Sequence, residues 1–292
     1  MVSQLLLNGL IAGSVYALVA VSFSLIYRTV RFFHFAHGGI YTAGAYLCFT
    51  FYSLLRFPLF LAVICAVLLT AVLGAGMDIL IYRPMRARHV SSLVLLIVSL
   101  GLLIISQNIV SLVFGDATKT LRTFIAQAHD IGGARITSVQ MIIIAVSAAV
   151  CALTWLLMQF SYFGRLMRAV ANDRELSRAV GVRNDRVIML VFALGSALAA
   201  GAAILVSFDT DMTPTIGFGA LFMGVVAAII GGIDSMPGAA LGAVFVGLVQ
   251  QLAAWKLPTE WQDAIVFVIL IGFLVLRPQG LLGKRRIGAE TI

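Results

Sequence analysis

Apolar side chains do not alternate along this chain; they run on, broken at intervals by short charged clusters. The runs occupy 5–27, 37–55, 57–81, 90–114, 139–160, 187–208, 219–233, 238–255 and 262–276. Most approach the roughly 20 residues that an α-helix needs to cross the ~30 Å hydrocarbon core of a bilayer. The pattern predicts an all-α, polytopic membrane helical bundle. At about 30 residues per crossing and its connection, the length allows about eight to ten transmembrane helices, and nine are read. Residues 1–292 form one transmembrane domain in this reading, with no second unit. The pair 219–233 and 238–255 is short, and Gly231, Gly232, Pro237 and Gly238 separate its members. A re-entrant or broken helix there is the alternative, tolerated where protein covers the backbone.

One segment has a different period. In 161–187 Phe163, Leu166, Met167 and Val170 stand at i, i+3, i+4 and i+7, the apolar stripe of a short helix. Arg165 and Arg168 lie off the stripe. Asn172 with Glu175 three residues on reads as a cap opening a second short helix, and Gly181 as its stop. Six arginines face three acids over this stretch. Three readings fit an amphipathic, basic hairpin: a lipid-surface anchor, internal packing of two connections, or a docking element for a groove on a partner.

Composition strengthens the membrane assignment. The chain is 61% hydrophobic and 11% charged, whereas soluble domains run about 45–50% apolar and about 25% charged. A soluble enzyme, a nucleic-acid-binding domain and a disordered tail are excluded on that ground. The net charge of +8 is then a matter of topology, because Lys and Arg concentrate in cytoplasmic loops. Loops 28–36, 82–89 and 161–186 and the tail 277–292 hold fifteen Lys and Arg; the opposite connections hold five, and acids divide evenly. The N-terminus is expected outside and the C-terminus in the cytoplasm, with Lys284, Arg285 and Arg286 anchoring the tail. The first run lacks the basic n-region and cleavage site of a removable signal and is expected to remain. Cys48, Cys65 and Cys151 lie in apolar runs and form no disulfide framework. Gly9 with Gly13 and Gly238 with Gly242 stand four apart, the spacing that lets helix backbones approach in lipid.

No phosphate-loop, H-E-x-x-H or G-x-S-x-G motif occurs, so no catalytic residue, cofactor or metal site is assigned. His34 and His37 share a helix face but lack a third ligand. Asp78 lies inside a run, about one turn from its end; pairing with Arg83 or Arg86 explains it better than a proton relay. Asn8, Gln107 and Asn108 are candidate pathway or interhelical polar groups, since a carboxamide in lipid needs a partner, and His37 is a candidate beside them.

The motifs together resemble the permease subunit of ABC importers for branched-chain amino acids, the LivH type. They are Asn8-Gly9 with Tyr16-Ala17-Leu18, Phe35-Ala36-His37-Gly38, Tyr82-Arg83-Pro84 with Arg86, and Gln107-Asn108. Gly164-Arg165-Leu166-Met167-Arg168-Ala169 with Asp173, Ala179 and Gly181 follows, then Gly231-Gly232-Ile233 with Pro237-Gly238-Ala239 and the closing Arg277–Gly283. His34 and Asp234 depart from the family pattern, standing in place of an amide and a glycine. The resemblance implies an inner-membrane, multi-pass subunit that pairs with a second permease subunit, two cytoplasmic ATP-binding subunits and an extracytoplasmic substrate-binding protein. It implies that 161–186 is the coupling loop, through Phe163, Gly164, Leu166, Met167, Arg168, Ala169, Val170, Asp173, Ala179 and Gly181. A charge at Met167 or Arg168 should then abolish substrate-stimulated ATP hydrolysis. Relatives on this scaffold import urea and short amides, which is the alternative substrate class; an autonomous carrier or channel is the alternative mechanism. Loops 115–138 and 209–218, with Asp116, Lys119, Arg122, Asp209 and Asp211, are expected to meet the binding protein.

Overall fold

Polar residues just ahead of the apolar runs start several helices. Thr137 and Gln140 form a reciprocal capping box, and the Ser235 hydroxyl accepts from the Gly238 N–H at 3.2 Å. The computed structural model describes residues 2–121, 127–131 and 133–283; Arg122 and Lys284–Arg286 lie outside the described residues.

The helices are α1 (Val2–Val30), α2 (Ala36–Phe49), α3 (Leu59–Ala87), α4 (Ser92–Phe114), α5 (Ser138–Phe160), α6 (Tyr162–Asn172), α7 (Arg174–Ala179), α8 (Asn184–Asp209), α9 (Ile216–Gly231), α10 (Met236–Ala253) and α11 (Gln262–Leu276). Every apolar run coincides with a helix. Six of these (α1, α3, α4, α5, α8 and α10) are long and apolar enough to cross a membrane, while α9 and α11 are shorter. α9 and α10 are each continuous, joined by a tight turn in which Gly232 takes φ +105°. α3 runs past the expected end at 81 as far as Ala87. A π turn over Asp78–Tyr82, with the Arg83 N–H reaching the Asp78 carbonyl, precedes Pro84, which has no N–H to continue the ladder.

α1 and α8 form the centre. Along its most apolar stretch α1 is 83% buried, whereas α3, α4 and α5 are each 22% buried. Those three turn Leu68, Leu112 and Leu153 outward, as lipid-facing helices do. α10 crosses α1 backbone to backbone: a Cβ on Gly9 would lie 2.8 Å from the Leu248 Cα, and one on Gly13 2.8 Å from the Val244 Cα. Gly242 meets the Ala227 carbonyl of α9 in the same manner. Small residues at these crossings supply the packing that drives helix association in lipid.

A two-stranded hairpin, β1 (Ala128–Ile131) with β2 (Ala134–Thr137), departs from the all-α pattern. The amide side chain of Gln4 pairs with the backbone N–H and carbonyl of Arg135 at 2.7 and 3.0 Å. Lys119 and Met212 exchange two backbone bonds of 2.9 Å, so the expected outer loops 115–138 and 209–218 are joined.

Candidate functional site

The basic hairpin is a built element. Ser161 caps α6, its hydroxyl accepting from the Gly164 N–H at 3.0 Å. Asp173 caps α7 by accepting from Glu175 and Leu176 at 2.9 Å, so the cap is Asp173 and not the expected Asn172. Asn172 instead ends α6, one residue too early to face the N–H groups of α7. Gly181, at φ +87°, closes α7 with bonds from its own N–H to Arg178 and from the Val182 N–H to Ser177, the paired pattern of a left-handed helix stop.

Its apolar stripe points inward. Met167 and Val170 are each 1% exposed and pack with Leu25, Ile26, Val30 and Val187; Phe163 and Leu166 flank them. The stripe is therefore packed within the chain, as the internal-packing reading has it. Met167 and Val170 are held by the ends of α1 and α8 because those helices leave apolar surface uncovered at this end of the bundle. The outward face carries Tyr162, Arg165, Ala169, Leu176, Arg178, Ala179 and Val180.

Polar ties fasten the hairpin to three other elements. The Arg168 guanidinium donates to the Met158 and Gln159 carbonyls, and Arg165 to that of Phe160. They thereby satisfy carbonyls that the end of α5 leaves open. Arg174 donates to the Thr29 carbonyl of α1 at 2.7 Å. Burial, then the like charges of Arg86 and Arg31, push the Arg174 guanidinium below its usual range against the pull of Asp78 and Asp185. Arg31, at φ +62° just past α1, reaches Asp234 at 2.7 Å and the Ala171 carbonyl at 3.3 Å. Ser177, Asn184 and the Arg174 carbonyl bond α7 to the start of α8. Because Arg31 and Asp234 are 31% and 37% exposed, their pairing is expected to add less than about 1 kcal/mol. Melting curves of Arg31→Gln, Asp234→Asn and the double variant measure it.

Gly164 is needed for a close approach: a Cβ there would lie 2.0 Å from the Met158 carbonyl oxygen. Gly164→Ala is expected to cost about 1–3 kcal/mol by forcing α6 off the end of α5, readable as a lowered melting temperature of the purified chain.

The pathway candidates are not brought together. Asn8 accepts from the Gln4 amide at 2.9 Å and lines a cavity of about 350 Å³ with Tyr16, Gln140, Asp209 and Gln251. His37 is fully buried, its Nε2 2.8 Å from the Ser22 hydroxyl. Gln107 is half-buried on α4, while Asn108 is exposed and bonds the Ile104 carbonyl of its own helix at 2.8 Å. Sequence reasoning missed the chain Tyr16–Gln250–Asp263, which ties α1, α10 and α11 through bonds of 2.9 and 2.8 Å. Two carboxamides ending an apolar run were the available signal.

Asp78, fully buried, pairs with the largely buried Arg86 at 2.7 Å, and Arg83 pairs with Asp185 at 3.2 Å. The two departures from the family pattern both occupy built contacts: His34 bonds Tyr82 at 3.0 Å, and Asp234 holds Arg31. Among the described residues, no group of three or more His, Cys, Asp or Glu is placed to hold a metal.

A lipid-facing bundle packed around a buried central helix, with a fastened basic hairpin at one end, defines an integral-membrane permease subunit. Residues 5–274 match the family described as the branched-chain amino acid transport system, permease component, and the chain belongs to that family. It is 34% identical to the high-affinity branched-chain amino acid transport system permease protein LivH of Salmonella typhimurium, covering 96% of this chain and 95% of that one. It is 33% identical to LivH of Escherichia coli K12 and to the permease protein BraD of Pseudomonas aeruginosa, at the same coverage. No solved structure matches.

Proposed function

We propose that this chain forms part of the path by which an ATP-driven importer carries branched-chain or related hydrophobic amino acids across the inner membrane. It does no covalent chemistry; ATP is hydrolysed by partner subunits. The observation that carries the reading is the hairpin α6–α7, whose outer face shows Leu176 and Val180 at 63% and 71% exposure while its inner face is bonded to α1, α5 and α8. An exposed apolar pair ringed by arginines on a fastened support suits a groove on another protein.

In this reading the chain crosses the membrane nine times, with the hairpin in the cytoplasm and the N-terminus outside. The ATP-binding subunit meets Arg165, Ala169, Leu176, Ala179, Val180 and Gly181. Phe163, Gly164, Leu166, Met167, Arg168, Val170 and Asp173 transmit its movement by holding the hairpin's shape. A second permease subunit, alike or identical, completes the path, and a substrate-binding protein docks at the Lys119–Met212 junction and the β1–β2 hairpin.

A cysteine introduced at Val180 is expected to crosslink to the co-expressed ATP-binding subunit, and one at Met167 is not. Labelling of Val180→Cys only from the outer side of intact cells would overturn the orientation. Full-speed transport by the chain reconstituted alone would overturn the coupling.

A further inference from the structure

A cavity of about 540 Å³ opens at the basic end of the bundle, between the end of α1, the last turn of α5, α6 and the α9–α10 turn. Arg28, Arg31 and Arg168 line it, with Asp234 as the single carboxylate, and the N-terminus of α10 enters through Ser235, Met236 and Pro237. Two of the three guanidinium groups are committed: Arg31 to Asp234 at 2.7 Å, and Arg168 to the carbonyls ending α5. Arg28 is half-buried and makes no hydrogen bond or ion pair with any described residue. Asp234 attracts it while Arg168 and Arg31 repel it, and that carboxylate is already bonded to Arg31. A cation left so, beside a helix N-terminus, forms a site for an anion.

The wall opposite is apolar. Trp155 lines the cavity and is 42% exposed on the outer surface of α5, beside the lipid-facing Leu156 and Phe160. An indole at the end of a membrane-spanning helix marks the headgroup level. Basic pockets between membrane helices at that level bind anionic headgroups. We infer that this cavity holds the phosphate of an anionic phospholipid, with Arg28 as its charge partner and Trp155 along its glycerol and upper acyl region. The shared chemistry is a phosphate oxyanion, and the adjoining lipid-facing wall assigns it to the bilayer rather than to solution.

Changing Trp255 and Trp261 to phenylalanine leaves Trp155 as the one tryptophan of the full-length chain, which is then placed in nanodiscs. Phosphatidylglycerol brominated on its upper acyl carbons is expected to quench Trp155 at about a fivefold lower mole fraction than brominated phosphatidylcholine, from about 1 kcal/mol per basic group near the surface. Arg28→Gln is expected to bring that ratio close to one, and Arg28→Lys to keep it. Equal quenching by the two lipids in the parent would overturn the inference. So would a preference that survives Arg28→Gln or is lost in Arg28→Lys. Loss of the preference on adding inorganic phosphate would assign the site to a soluble anion instead.

Discussion

Replacing Gly247 by leucine is expected to keep this chain from accumulating as a folded membrane protein. A Cβ at that position would stand 2.5 Å from the Gly13 nitrogen and 2.5 Å from the Gly9 oxygen. Both obstacles are backbone, so no side chain can swing aside. Gly9 and Gly13 in turn leave no room before Leu248 and Val244, and the crossing is closed from both sides. In water a parted helix pair is partly restored by hydrophobic attraction; in lipid that attraction is missing and close packing carries the association. The cost is expected above about 4 kcal/mol, in the range reserved for overpacked or collapsed cores. Gly101 has open space where its Cβ would be, so Gly101→Ala serves as the neutral control. Size-exclusion profiles and melting temperatures in detergent measure the difference; parent-like behaviour of Gly247→Leu would show that α1 and α10 do not cross so closely.

The second large effect is functional. The double variant Leu176→Asp/Val180→Asp is expected to reduce substrate-stimulated ATP hydrolysis and uptake more than tenfold in the assembled complex. Both side chains are exposed, and substitutions at such positions change stability by only about 0.5 kcal/mol. The chain should therefore insert, melt and copurify with its membrane partner as the parent does. In the proposed docking, the variant removes the apolar contact by which an ATP-binding subunit grips the hairpin and adds two carboxylates to a surface that must desolvate. Met167→Asp loses transport for another reason: a carboxylate 1% exposed among Leu25, Val30 and Val187 has no partner and unfolds the hairpin. The two variants separate on the melting curve. Uptake unchanged in Leu176→Asp/Val180→Asp would remove the hairpin from the coupling route.

The helices were legible because an apolar run of membrane length has few other uses, and even the doubtful stretch 219–255 resolved into α9 and α10. Boundaries were less so. The continuation of α3 to Ala87 depends on a π turn ahead of Pro84, which no period announces. Asn172 and Asp173 both suit a cap, and the register of the chain after α6 decides for Asp173. Periodicity placed Phe163, Leu166, Met167 and Val170 on one face of α6, but it does not say what covers that face; the ends of α1 and α8 do. The glycine spacing found Gly9 and Gly13 but not Gly247, which opposes them from a helix far along the chain. Polar candidates were the least legible. Asn108 meets its need for a partner on its own backbone, and so its presence in an apolar run says little about a pathway.

Arg31 bonds the α6–α7 hairpin at Ala171 and the α9–α10 turn at Asp234 with one side chain, while Arg174 clasps the same hairpin to α1. In the proposed coupling, a push delivered at Val180 reaches α1 and the α9–α10 turn through these bonds. In that scheme the first helix and the paired ninth and tenth share the load, and the glycine-lined crossing of α1 and α10 lies in its path.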